Sequence, residues 1–159
     1  MAGFTPLFAP ALATLFALSA CDRYPRDADD LTAQAADAGM RVGASHDPPY
    51  VQVSADGGVT GVEAELVRRF ADAHGYRVTW VPGGHDALMR DLERTRLHAV
   101  IGGHHRKSPW KPKVGWSRPL HQRATEDAPL PERQIALPPG QSQWHLAFDR
   151  HLVRHEGAQ

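Results

Sequence analysis

Apolar and polar positions along this chain keep two different periods, separated by glycine and proline. Residues 31–38 (Leu-Thr-Ala-Gln-Ala-Ala-Asp-Ala) favour helix and stop at Gly39. Residues 40–45 form a short strand, broken by His46-Asp47-Pro48-Pro49 because proline fixes φ and restricts its predecessor. Residues 50–53 alternate, and Asp56-Gly57-Gly58 is turn chemistry, so 50–60 reads as a hairpin. Gly61 then opens a helix over 62–74, with Val62, Leu66, Phe70 and Ala73 at helical spacing and Glu63, Glu65, Arg69 and Asp72 elsewhere on the wheel. Its acids come early, as the helix dipole favours, and Gly75 ends it. A β-branched and aromatic strand follows at 76–81, then a helix at 85–96 with Leu88 and Leu92 inward.

The run 99–101 is apolar and ends in Gly102-Gly103. A polar loop leads to a second apolar piece, 114–116, closed by Pro119. Residues 120–131 are polar with two prolines. A strand at 133–137, a break at Pro138-Pro139-Gly140 and a helix at 141–155 complete the chain, with Trp144, Phe148 and Leu152 spaced by four. Strand and helix alternate from 40 to 101 as βαβαβ. That order predicts an α/β three-layer sandwich around a small, mostly parallel sheet, with the loops after its strands facing a ligand.

Composition narrows the function. Eighteen basic residues balance eighteen acidic ones, so no cationic surplus exists to hold a phosphate backbone, and nucleic acid is excluded as a partner. The ten His residues would turn the chain cationic below about pH 6.5. The sole cysteine, Cys21, follows Leu18-Ser19-Ala20 at the end of an apolar, small-residue stretch. That stretch is too short for a comfortable membrane span. It resembles a bacterial lipoprotein signal, with Cys21 as the acylated residue, although the start of the chain lacks Lys or Arg. The expected organisation is a signal peptide at 1–20, a tether at 21–30 and one folded lobe at 31–155, exported and lipid-anchored at a bacterial membrane.

Four segments in register carry a family resemblance: Met40 through Tyr50, Gly61-Val-Glu-Ala-Glu-Leu66, His98-Ala-Val-Ile-Gly-Gly103, and Val114-Gly-Trp-Ser-Arg-Pro-Leu120. Together they resemble bacterial extracellular solute-binding proteins of family 3, as does the return strand Ile135-Ala-Leu-Pro-Pro-Gly140 with its helix. The resemblance implies a type II periplasmic-binding-protein fold and a place as the substrate-binding component of an ABC-type transport system; no catalysis and no cofactor are expected, since the sequence has no Gly-x-Ser-x-Gly, no thiol other than Cys21 and no phosphate loop. Family members close two lobes over a solute, which can be an amino acid or another small polar molecule. Here only 120–132 stands where the second lobe is inserted, too few residues for a domain of about 50. A single lobe with weak binding is therefore expected, with a permease, or a second lobe from another chain, as a partner. An envelope protein-interaction module and a non-binding remnant are the alternatives.

The resemblance places Tyr50 as the stacking aromatic, Gly102 and Gly103 where backbone approaches ligand, His105 where a hydroxyl residue often sits, and Trp110 where amino-acid binders carry a carboxylate-gripping Arg. A neutral indole lacks that grip. Tyr50 can equally pack its loop, Gly102-Gly103 can simply end a strand, and Trp110 can serve packing. Metal is not expected, since the adjacent His104 and His105 do not converge on one ion and no Cys or carboxylate follows at ligand spacing. His151 and His155 read as a solvated helix face, and His85 and His98 as surface residues.

Overall fold

A computed structural model describes residues 24–104, 108–120 and 133–156, with backbone alone for the last two. The signal-like segment, Cys21 and His105 lie outside the described residues, as does nearly all of 120–132. Helix α1 (Leu31–Ala38) ends at Gly39, whose positive φ of 87° lets its N–H reach Ala35 O. Strand β1 (Met40–Ala44) follows, then the hairpin β2 (Gln52–Val53) and β3 (Val59–Thr60), α2 (Val62–His74), β4 (Val78–Pro82), α3 (His85–Glu93), β5 (Ala99–Ile101), β6 (Gly115–Trp116), β7 (Ala136–Leu137) and α4 (Ser142–Glu156). The main sheet runs β4-β1-β5-β7-β6. β1 pairs parallel with β4 and β5, while β7 is antiparallel to both β5 and β6.

Alternation along β5 divides the core. Ala99 and Ile101 face one cluster with Leu31, Phe70, Trp144 and Phe148, which joins α1, α2 and α4 to one side of the sheet. Val100 faces the other cluster with Leu88, Met89 and Leu92, which holds α3 on the opposite side. The result is the three-layer sandwich read from the element order. Trp144, Phe148 and Leu152 are buried, as their spacing requires.

The structure corrects several details. Helix α3 and strand β7 are shorter than the sequence suggests. The inward stripe of α2 is rotated by about one residue: Glu63, Ala64, Val67, Phe70 and Ala71 are buried, Val62 is 53% exposed, and Ala73 faces solvent. A charged Glu63 argued against that phase, but its partners come from elsewhere in the chain. His98 and His151 are buried rather than solvated. His98 Nδ1 accepts the Arg41 N–H at 3.1 Å, and Phe70 meets the His151 ring edge-on. The end of the polar stretch before α1 is tied to the lobe by Asp27. Its carboxylate accepts the Thr32 N–H and the Trp144 N–H, both at 2.9 Å, so one side chain caps two helices.

Candidate functional site

Three parallel strands end on the same edge, and the loops that leave them converge there. Such a carboxyl edge is where open α/β sheets bind ligands. The loop after β1 carries Asp47 and Tyr50, the loop after β5 carries Gly102, Gly103 and His104, and the loop after β4 leads into His85 and Asp86. Backbone bonds hold these loops to the sheet: Ser45 N–H donates to Ile101 O at 3.0 Å, and Gly83 N–H to Ala44 O at 3.1 Å.

Two glycines permit the close approach. At Gly102 φ is +93°, and a Cβ would lie 2.0 Å from Ser45 O. At Gly61 φ is +110°, and a Cβ would lie 2.2 Å from Tyr50 O. The second contact brings the start of α2 under the Tyr50 loop, so that Glu63 points into the junction.

Glu63 is wholly buried, and both oxygens are used. Oε1 accepts Arg133 Nε–H at 2.5 Å and Oε2 accepts Gly102 N–H at 2.8 Å. Arg133 also donates from Nη2 to Asp47 Oδ2 at 2.5 Å, and that same oxygen accepts Gly103 N–H at 2.8 Å. The guanidinium carbon stands 3.8 Å from the centre of the Tyr50 ring, a cation–π contact. Burial pushes the Glu63 carboxyl above its usual range, with Arg133 and the Gly102 N–H pulling it back. Burial works against the charge of Arg133 too, but its bonds to Glu63 and Asp47 outweigh that and raise it.

Beside this cluster lies a second. His104 is fully buried. Its Nδ1 stands 3.3 Å from His85 Nε2, and its ring meets Trp116 edge-on at 5.3 Å. Burial, with the neighbouring His85 and Arg133, lowers His104 to about 3. Asp86 Oδ1 accepts the Trp110 Nε1–H at 3.2 Å. The bonds from Trp110 and His85 hold the Asp86 carboxyl below its ordinary range.

The structure thus puts Tyr50, Gly102 and Gly103 in one cluster and Trp110 in the adjoining one. The two backbone amides of the Gly pair are already given to Glu63 and Asp47. Asp47, Glu63, His85, Asp86, His104 and Arg133 are the residues sequence reasoning missed. Glu63 had a visible signal, as the first acid after Gly61. Arg133 had none, because it lies 70 positions from Glu63. Among the described residues no group of three or more His, Cys, Asp or Glu could hold a metal ion. No described helix is long and apolar enough to cross a membrane.

The three-layer α/β lobe and the loops at its carboxyl edge define the fold class, and the family follows from the sequence. The family model for bacterial extracellular solute-binding proteins, family 3, matches residues 40–152. The chain belongs to that family. A search of curated proteins found no match.

Solved structures similar to this chain share its fold. The arginine-bound domain 1 of TmArgBP, as a point mutant, superposes with a TM-score of 0.68 at 20% identity, over 80% of this chain and 98% of that one. A mutant of ArgBP from T. maritima gives a TM-score of 0.67 at 13% identity, over 80% and 94%. EhuB in complex with hydroxyectoine gives 0.68 at 14% identity, over 84% and 89%.

Proposed function

We propose that this chain is the substrate-binding component of an ABC-type transport system, working as one lobe and anchored through Cys21 outside the cytoplasm. It is not an enzyme. The observation that carries the reading is the shelf itself. Within a chain matched to a solute-binding family over 40–152, the loops bearing Tyr50, Gly103 and Trp110 converge on one sheet edge with a partly exposed carboxylate, Asp47, and an exposed one, Asp86.

Aromatic faces beside carboxylates suit a small polar solute with a cationic group, an amino acid among them. Tyr50 and Trp110 supply the faces, and the Gly102-Gly103 turn brings backbone near the ligand. His105 joins the ligand-binding set through the family resemblance. A good small-molecule site buries about 70–90% of its ligand, and a single shelf offers roughly half that contact, so weak binding is the expectation. An arginine-bound domain 1 of TmArgBP supports a lone lobe as sufficient to hold a ligand. A permease, or a second lobe from another chain, would supply the missing contact.

Calorimetry of the folded chain against a panel of amino acids and small cations tests this reading. Saturable heat with one of them, lost in Tyr50→Ala, is the expected result. No heat with any solute, with or without the cognate permease, would overturn it. Replacing Cys21 by Ser should release the protein from the membrane fraction.

A further inference from the structure

Arg133 is an odd occupant of a solute shelf. Its guanidinium lies over Tyr50, donates to Asp47, and donates to a carboxylate that is wholly buried. Two carboxylates face one cation. An aromatic floor, a buried anion and a half-exposed anion make a place shaped for a planar monocation. The residue that fills it stands just ahead of the last strand, its side chain reaching back over the edge. Arg133 makes an isolated bridge to Leu120, with Leu120 N–H donating to Arg133 O at 2.8 Å, and strand β7 starts only at Ala136. Moving the side chain alone breaks no backbone bond of β7.

We propose that Arg133 is a built-in plug in a guanidinium seat formed by Tyr50, Asp47 and Glu63, and that a guanidinium solute enters this lobe by taking its place. The inference rests on the carboxyl edge being the solute site, and what it adds is the self-blocking contact. Glu63 anchors the seat from below through its bond to Gly102 N–H. Asp47 marks the rim, fixed by Gly103 N–H. With Arg133 in place the two anions are satisfied, and a competing cation must displace a tethered one. The effective concentration of a tethered group reaches the millimolar range, so the wild-type protein should respond to guanidinium compounds only weakly.

The test uses the full chain, with methylguanidinium as the probe and methylurea as its neutral isostere, both at low millimolar concentration. Thermal unfolding is followed for the wild type, for Arg133→Ala, and for Arg133→Ala combined with Glu63→Gln. The double variant removes the buried charge that Arg133→Ala strands, so it keeps the test open should the single variant fail to fold. The amide introduced by Glu63→Gln still offers a carbonyl oxygen to the Gly102 N–H, and Asp47 and Tyr50 remain to take the cation. Methylguanidinium should raise the melting temperature of the folded variants by roughly 5 °C at tenfold excess over its Kd, with little change in the wild type and none from methylurea. Adding Tyr50→Ala should abolish the rise. Variants that respond no more than the wild type, or respond equally to methylurea, overturn the plug. A wild type that binds some other solute while the variants ignore methylguanidinium sinks the plug alone. Variants that take methylguanidinium while no solute ever binds the wild type or its permease complex uphold the seat and sink the transport role.

Discussion

Acid should loosen this lobe through two imidazoles, His98 and His104. Both are buried, at 6% and 0% exposure. Burial is the main cause that lowers His98 to about 4, with the charge of Arg41 adding to it. His104 falls to about 3 through its burial, with His85 and Arg133 nearby adding to the effect. An unfolded histidine titrates near 6.5. Each folded imidazole therefore binds a proton less readily than its unfolded form. The stability they contribute is present above pH 6.5 and is lost as the pH falls toward 4 and 3. Between pH 7 and pH 5 the loss is roughly 2 kcal/mol per residue and about 4 kcal/mol for the pair. That is a large share of the roughly 5–15 kcal/mol typical of a domain. Urea unfolding at the two pH values, read by the fluorescence of the buried Trp144, measures it. His98→Asn keeps an acceptor for the Arg41 N–H, and His104→Leu keeps an apolar filler beside Trp116. Each should remove about half of the acid loss, and together nearly all of it. A double variant that still loses as much stability as the wild type between pH 7 and pH 5 would refute the assignment.

Other outcomes follow from the same geometry. Gly102→Ala should lower stability by about 3 kcal/mol or more in urea melts, because its Cβ would lie 2.0 Å from Ser45 O at a positive φ. Gly103→Ala meets only His85 Cδ2 at 3.5 Å, so the strain of its positive φ alone, about 1 kcal/mol, is expected in the same melts. Arg133→Ala should lose roughly 3–5 kcal/mol by denaturant titration, since it leaves Glu63 buried and uncompensated, and adding Glu63→Gln should recover part of that loss. Trp110→Ala should weaken solute binding in calorimetry and also lower the melting temperature, because Trp110 packs against the Leu88, Met89 and Leu92 cluster as well as giving its indole N–H to Asp86.

Much of the frame was legible because it is local. Helix α1 and helix α2 begin and end where glycine and the apolar period put them, and β5 falls on its apolar triplet. Alternation of strand and helix from 40 to 101 determined a parallel α/β sheet, since parallel neighbours need a crossover between them. The apolar spacing in α4 determined that Trp144, Phe148 and Leu152 would enter the core together. Tyr50 and the Gly pair could be flagged from the residues around them, because turn chemistry and a strand end are written within a few positions.

The rest was decided by distance in the fold rather than along the chain. A carboxylate such as Glu63 reads as solvent-facing until an Arg 70 positions later and a strand-end N–H arrive to satisfy it. The phase of α2 changed with it, because one satisfied anion lets the helix turn its acid inward. His98 looked like a surface residue for the same reason: the Arg41 N–H of a neighbouring strand and the edge-on Trp144 ring that receive it lie far from it in sequence. Hydrophobic period reports how each segment is divided between water and core. Which polar groups go inside depends on partners that only tertiary packing can bring within hydrogen-bond reach.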